Sequence, residues 1–246
     1  MTIGMTGTTG TELDAGRSIG VEKSSSYAPG LTVQNLGKAW TNQKTLCDVS
    51  FEQAEGTIFG IAGDNGAGKS TLLKILASVL SRDKGEVVFR GISLDDLARW
   101  RPMIGYVPQE LALDDRFSVR ETLAFWAAAR GFSREGRLRF LEIAVTDPLI
   151  SGFLGKPIRE CSSGMARRVS LIIGLLGDPL LLLLDEPFAG TDQDSRELIL
   201  DRLALLRSRG RTILISGHEQ ELLGQLCDRV LLLRDGEVAM AEADPA

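Results

Sequence analysis

Histidine is nearly missing from this chain: His218 is the only one in 246 residues. Cysteine is scarce too. Cys47, Cys161 and Cys227 are widely spaced, odd in number and in no C-x-x-C pair, so neither a disulfide framework nor a zinc site is indicated and a reducing cytosol fits. Basic charge is not in excess. A net charge of -5 and a pI near 5.1 leave no electrostatic footprint for nucleic acid as a main partner. Long hydrophobic runs are lacking as well. The greasiest stretch, Val169 to Leu184, is broken by Asp178-Pro179 and falls short of the roughly 18 uninterrupted apolar residues that a membrane span requires. No charged start leads into an apolar core at the N-terminus, so no secretory signal is expected.

The composition that remains, 43% apolar and 25% charged, suits one large globular domain, or a domain with a subdomain. Half of residues 1–30 are Ser, Thr or Gly and the only aromatic there is Tyr27. Such a segment buries too little apolar surface to offset its ordering entropy, so a disordered leader is expected, a regulatory or docking arm being the alternative. The folded domain is expected to span residues 31–246.

The most informative stretch is Gly63, Asp64, Asn65, Gly66, Ala67, Gly68, Lys69, Ser70 and Thr71, which fits G-x-x-x-x-G-K-[ST]. An apolar, β-branched run from Ile58 to Ala62 precedes it. Leu72, Leu73, Ile75, Leu76, Val79 and Leu80 recur after it at helical spacing. The motif therefore sits between a strand and a helix. Glycines let the backbone curl so that successive N–H groups point at phosphate oxygens, and the helix N-terminus adds partial positive charge. Lys69 is expected to reach the β- and γ-phosphates and the Ser70 hydroxyl to bind Mg²⁺.

Leu31–Leu36 and Cys47–Phe51 are expected strands flanking a polar turn at Thr41 to Lys44, with Trp40 at its rim. Trp40 could stack on an adenine or pack on its own strand pair. Val87–Phe89 with Arg90-Gly91 reads as a hairpin. Ile104–Val107 reads as a short buried strand that ends at Pro108-Gln109, where an open α/β sheet places its ligand crevice. Residues 117–145 carry the helical period, and six arginines between Arg116 and Arg139 read as a solvated helical face. Ser162, Ser163 and Gly164 stand at the start of a helical run expected to end at Gly177; they could be a cap alone or a second anion site.

Leu180–Leu184 is a continuous apolar run that suits a buried parallel strand and stops at Asp185-Glu186-Pro187. Adjacent carboxylates at the end of a buried strand need partners, and Mg²⁺ with its waters would supply them. Asp185 is then a metal-side residue and Glu186 the base that orients an attacking water. A further buried strand, Arg211–Ser216, ends at Gly217-His218. His218 thus repeats the strand-end placement of Gln109 and Asp185.

Taken together, these segments resemble the ATP-binding subunit of an ATP-binding-cassette (ABC) transporter from about Leu31 to Glu242. Trp40 matches the aromatic that stacks on adenine, Gly63 to Thr71 the Walker A loop, and Gln109 the glutamine that senses Mg²⁺ and contacts the membrane partner. Cys161 to Met165 stand where the signature L-S-G-G-Q belongs. Leu180 to Asp185 match Walker B, Glu186 the catalytic base, Gly190 to Asp192 the D-loop and His218 the switch histidine. The signature reads C-S-S-G-M, keeping Ser162 and Gly164; Ser163 in place of glycine adds a Cβ, which would make αL geometry there less comfortable.

The resemblance implies a P-loop NTPase fold: a RecA-like α/β core, an N-terminal antiparallel β subdomain and an inserted α-helical subdomain at roughly 110–165. It implies ATP and Mg²⁺ as ligands, with Ser70, Gln109 and Asp185 on the metal side. It also implies a head-to-tail dimer with a second ATP-binding subunit, each ATP lying between one Walker A loop and the other subunit's signature. Transmembrane permease subunits would place the chain on the cytoplasmic face of the cell membrane. The S-S-G-M-x-R-R style of signature resembles drug, polysaccharide and antibiotic exporters. The alternative is a soluble ABC-type ATPase in an assembly pathway such as iron–sulfur biogenesis.

Overall fold

The computed structural model describes residues 29–40 and 43–242. The expected leader lies outside them up to residue 28, and its last two residues, Pro29 and Gly30, already belong to the first strand. Thr41 and Asn42 of the expected turn also lie outside.

The elements in chain order are β1 (Pro29–Trp40), β2 (Gln43–Ala54), β3 (Ile58–Ala62), α1 (Lys69–Leu76), β4 (Lys84–Phe89) and β5 (Ile92–Ser93). Then come α2 (Leu97–Met103), β6 (Ile104–Val107), α3 (Val119–Ala129), α4 (Arg134–Ala144) and α5 (Ser163–Gly174). The chain continues with β7 (Leu181–Asp185), α6 (Gln193–Ser208), β8 (Thr212–Gly217), α7 (Gln220–Leu226), β9 (Arg229–Arg234) and β10 (Glu237–Glu242). Two single 3₁₀ turns, Ser151–Phe153 and Ile158–Glu160, lead into α5.

The strands form two sheets. One is antiparallel, in the order β2-β1-β4-β5; the other runs β10-β9-β3-β8-β7-β6 and is parallel except for β10. Both β3 and β7 are buried at every position, which is why they read as unbroken apolar runs rather than alternating ones. Their side chains still alternate between two cores. Ile58, Ala62, Leu182 and Leu184 pack with α3, α5 and α6, while Phe59, Ile61, Leu181 and Leu183 face α1 and the antiparallel sheet. This is the α/β core with an antiparallel N-terminal sheet that the resemblance implies.

Several boundaries differ from the sequence reading. β1 and β2 extend well beyond Leu31–Leu36 and Cys47–Phe51, because the hairpin continues to the Trp40–Gln43 pair. Helix α5, which already includes Ser163 and Gly164, ends at Gly174 with Leu175 as its cap, three residues before the expected Gly177. Helix α2 was not anticipated, since its seven residues are too few to show a period. Its anchor is Trp100, fully buried, whose indole N–H donates to the Leu76 carbonyl at 2.8 Å and so satisfies the open end of α1. Trp100→Ala is expected to cost about 3–5 kcal/mol in urea unfolding, and Trp100→Phe less, since it keeps most of the volume and loses the hydrogen bond.

The parallel register sets up the site. Ala62 lies opposite Gly217, Asp185 opposite Ser216, and Val107 opposite Leu184. Strands β3, β6, β7 and β8 therefore end along one edge, and the segments that leave them meet there.

Candidate functional site

The loop from Gly63 to Gly68 leaves β3 and turns into α1 through Gly68, whose φ of 105° puts it in the region that favours glycine. A Cβ on Gly68 would stand 2.7 Å from the Thr45 carbonyl oxygen of β2, and one on Gly63 would run into the Leu233 carbonyl oxygen of β9. The Gly236 N–H donates to the Ala67 carbonyl at 3.1 Å, and the Gly236 carbonyl accepts from the Cys47 N–H at 2.7 Å. The loop is thus braced by β2 on one side and by the β9–β10 turn on the other. Lys69 is buried inside the curl, donating to the carbonyls of Gly63 at 2.6 Å and Asp64 at 3.0 Å.

Carboxylates close the other side. Ser70 Oγ donates to Asp185 Oδ1 at 3.0 Å, and Ser216 Oγ donates to the same oxygen at 2.7 Å. Ser216 Oγ also accepts from the Glu186 N–H at 3.0 Å, so one hydroxyl fixes both acids. The other oxygen, Asp185 Oδ2, is buried with no hydrogen-bond partner. An orphaned carboxylate oxygen beside a serine hydroxyl is an oxygen donor set that suits a hard divalent cation, so these residues fit Mg²⁺.

Glu186 takes φ of 48°, a left-handed conformation that costs a non-glycine residue roughly 1–3 kcal/mol. The turn swings its carboxylate back toward the loop. Its Oε1 lies 3.8 Å from Lys69 Nζ and its Oε2 lies 3.4 Å from His218 Nδ1. A small cavity bordered by Glu186, Phe188, Ser216 and His218 opens beside this pair.

The structure thus gathers Lys69, Ser70, Asp185, Glu186 and His218 into one cluster. Gln109 follows β6 on the same sheet edge with its side chain exposed. Trp40 stands at the end of β1, 54% exposed, with Lys38 Nζ 5.4 Å from its ring centre. Because Lys38 pairs with Leu46 and Trp40 with Gln43, the indole stands just beyond the β2 residues that touch the phosphate loop.

Ser162, Ser163 and Gly164 are held elsewhere, against the start of α6. Ser162 caps α5, its hydroxyl accepting from the Met165 N–H at 3.2 Å. Ser163 meets no αL strain at its Cβ. It is the first residue of α5 with no positive φ, and its hydroxyl donates to the Gly190 carbonyl. Gly164 admits no side chain, since a Cβ would lie 2.5 Å from Asp192 Oδ2 and from Ser195 Oγ. Asp192 caps α6, and the Ser195 N–H that it accepts holds its carboxyl below the usual range.

Two residues of this region carry roles that the sequence does not assign, Ser216 and the first arginine of S-S-G-M-x-R-R, Arg167. Ser216 is the last polar position before Gly217-His218, but its role follows only from the β7–β8 register. Arg167 is 6% exposed and donates to the carbonyls of Pro108 and Gln109, both at 3.0 Å. Burial pushes its guanidinium pKa down, and the negative charges of Asp185 and Glu186 oppose that shift. Its place in S-S-G-M-x-R-R, among the buried positions Ala166 and Ser170 of α5, is the signal for it.

With this geometry in view, residues 46–189 match the family described as ABC transporter. An uncharacterized ABC transporter ATP-binding protein of Methanocaldococcus jannaschii is 35% identical over 209 residues, covering 85% of this chain and 76% of that protein. Nod factor export ATP-binding protein I of Rhizobium meliloti is 36% identical over 222 residues, covering 87% of this chain; the chain spans 64% of that relative's length. The solved dimeric structure of a post-hydrolysis state of an ATP-binding cassette bound to ADP and Pi aligns with a TM-score of 0.78 at 26% identity, covering 88% of this chain and 99% of that one.

Proposed function

This chain belongs to the ABC transporter family, and on that premise we propose that its Lys69–Asp185–Glu186–His218 cluster hydrolyses ATP to drive export through a membrane partner. ATP binding and hydrolysis coupled to transport are the family's activity. The observation that carries the residue assignment is the meeting of a lysine-bearing phosphate loop with two acids fixed by the single Ser216 hydroxyl.

In this reading Trp40 stacks on the adenine, and the backbone N–H groups of Gly63 to Thr71 with Lys69 hold the phosphates. Ser70, Asp185 and Gln109 would hold Mg²⁺, which offsets phosphate charge when bound. Glu186 accepts a proton from the water that attacks the γ-phosphorus, and His218 keeps that carboxylate in line. Ser162, Ser163 and Gly164 serve the nucleotide of a second subunit in a head-to-tail dimer, with Asp192 at the shared edge. Their position against the start of α6, outside the Lys69–Glu186 cluster, supports this.

The membrane partner would bind at a groove of about 350 Å³ lined by Ala77, Val79, Arg101, Tyr106, Trp126 and Arg130. Val79 is 67% exposed there, and the two guanidinium groups favour an acidic, apolar-faced segment on the cytoplasmic side of the membrane. Motion would pass through the helical segment at roughly 110–165. No helix among the described residues is long and apolar enough to cross a membrane, so membrane attachment in this reading rests on that contact. Val79→Glu is expected to release the chain from the membrane fraction of its own cells without changing its unfolding midpoint. A wild-type chain found wholly in the soluble fraction would favour the assembly-pathway alternative.

A further inference from the structure

Arg167 does work that neither phosphate binding nor water activation requires. The α5 helix is tied down at two levels. At its tip, Ser163 donates to Gly190, and one turn further on Arg167 reaches across to the turn that follows β6. Both terminal nitrogens are committed to main-chain oxygens, so the guanidinium fixes the path of Pro108 and Gln109 rather than the Gln109 side chain. Holding a cation there is costly, for the group is 6% exposed and its Nε has no partner. A methionine of similar length would fill the space without that cost.

The two ends of this link face different nucleotides in the dimer proposed above, on which the inference rests. Gln109 would stand at the chain's own ATP, while Ser162, five residues before Arg167, would face the ATP of the other subunit. We propose that Arg167 is a positioning residue that locks the Pro108–Gln109 turn to the start of α5, so that occupancy of one nucleotide site is transmitted to the phosphate contact offered to the other. The two sites then respond together rather than independently, and the response is lost when the clamp is cut.

The test compares wild type, Arg167→Met, Arg167→Gln and Arg167→Lys as full chains. Binding of a fluorescent ATP analogue without Mg²⁺, which depends on the loop at Gly63 to Thr71, should stay within about twofold in every variant. The ATP dependence of hydrolysis with Mg²⁺ is the discriminating readout. The wild-type Hill coefficient should approach about 2 and that of Arg167→Met about 1, with a lower kcat. Arg167→Lys, which keeps a cation able to bridge the two carbonyls, should restore part of the cooperativity. A purely structural role would lower the unfolding midpoint and leave the Hill coefficient alone, and that result overturns the proposal. Should Arg167→Met fail to fold, Arg167→Gln, which keeps one donor, decides by the same readout: reduced cooperativity supports the clamp and wild-type cooperativity overturns it. A wild-type chain with no ATP-driven dimer would fail at the underlying reading instead, and the proposal would fall with it.

Discussion

Replacing Glu186 by glutamine will lower ATP hydrolysis about 100- to 1000-fold while leaving ATP binding intact, the loss expected when a general base is removed. The substitution isolates the proton-accepting step. Glutamine matches glutamate in shape, so the left-handed turn at this position and its N–H bond to Ser216 are retained. What changes is the ability to take a proton from water. The two neighbours of the carboxylate, Lys69 at 3.8 Å and His218 at 3.4 Å, lose a charge to face, but neither bonds it tightly enough to collapse the site. If hydrolysis is the step that opens a closed pair of subunits, this variant should run as a dimer on a sizing column with Mg-ATP and as a monomer without nucleotide. Hydrolysis within tenfold of wild type in a single-turnover measurement would remove Glu186 from the role of base.

Lys69→Met is expected to weaken ATP binding about 100-fold, since two charge-assisted hydrogen bonds to phosphate at about 1.5 kcal/mol each amount to about 3 kcal/mol. Titration calorimetry on the two proteins measures this directly. Part of the effect will come from the loop itself. Lys69 also bonds the carbonyls of Gly63 and Asp64, which holds the curl of the loop and so orders its backbone N–H groups. Methionine removes both bonds and leaves the Asp64 carbonyl with the Ala67 N–H, at 3.2 Å, in place of two donors. The variant should therefore also show faster amide exchange across residues 63–68 before any ATP is added. Unchanged affinity would mean that the phosphates are held elsewhere on the chain.

How much could be read in advance depends on whether a feature is local. The phosphate loop was legible because its glycines, lysine and hydroxyl lie within nine residues, and the strand and helix around it have opposite hydrophobic periods. Asp185 and Glu186 were legible because carboxylates at the end of an apolar run demand partners. The sequence could not reveal that Ser216 joins them, because that depends on which residue of β8 falls opposite Asp185. Whether Ser163 would need αL geometry was equally hidden: α5 starts directly after Ser162, so Ser163 is an ordinary first helical residue and its Cβ meets no left-handed backbone. Trp100 and α2 stayed hidden because a short helix held by one indole has no repeating pattern.

The bracing of the phosphate loop also bears on how the protein is made. Its supports come from Thr45 and Cys47 near one end of the folded region and from Leu233 and Gly236 near the other, almost 190 positions later. Synthesis delivers these supports in that order, and the loop itself emerges soon after the first. A growing chain therefore carries the whole nucleotide motif long before it can brace that motif, since the turn at Gly236 is made almost 190 residues after Cys47. Contacts of such long sequence separation close late and slowly. A chain cut before Gly236 is thus expected to hold the loop at residues 63–68 less firmly than the intact one, which amide exchange on the two would measure.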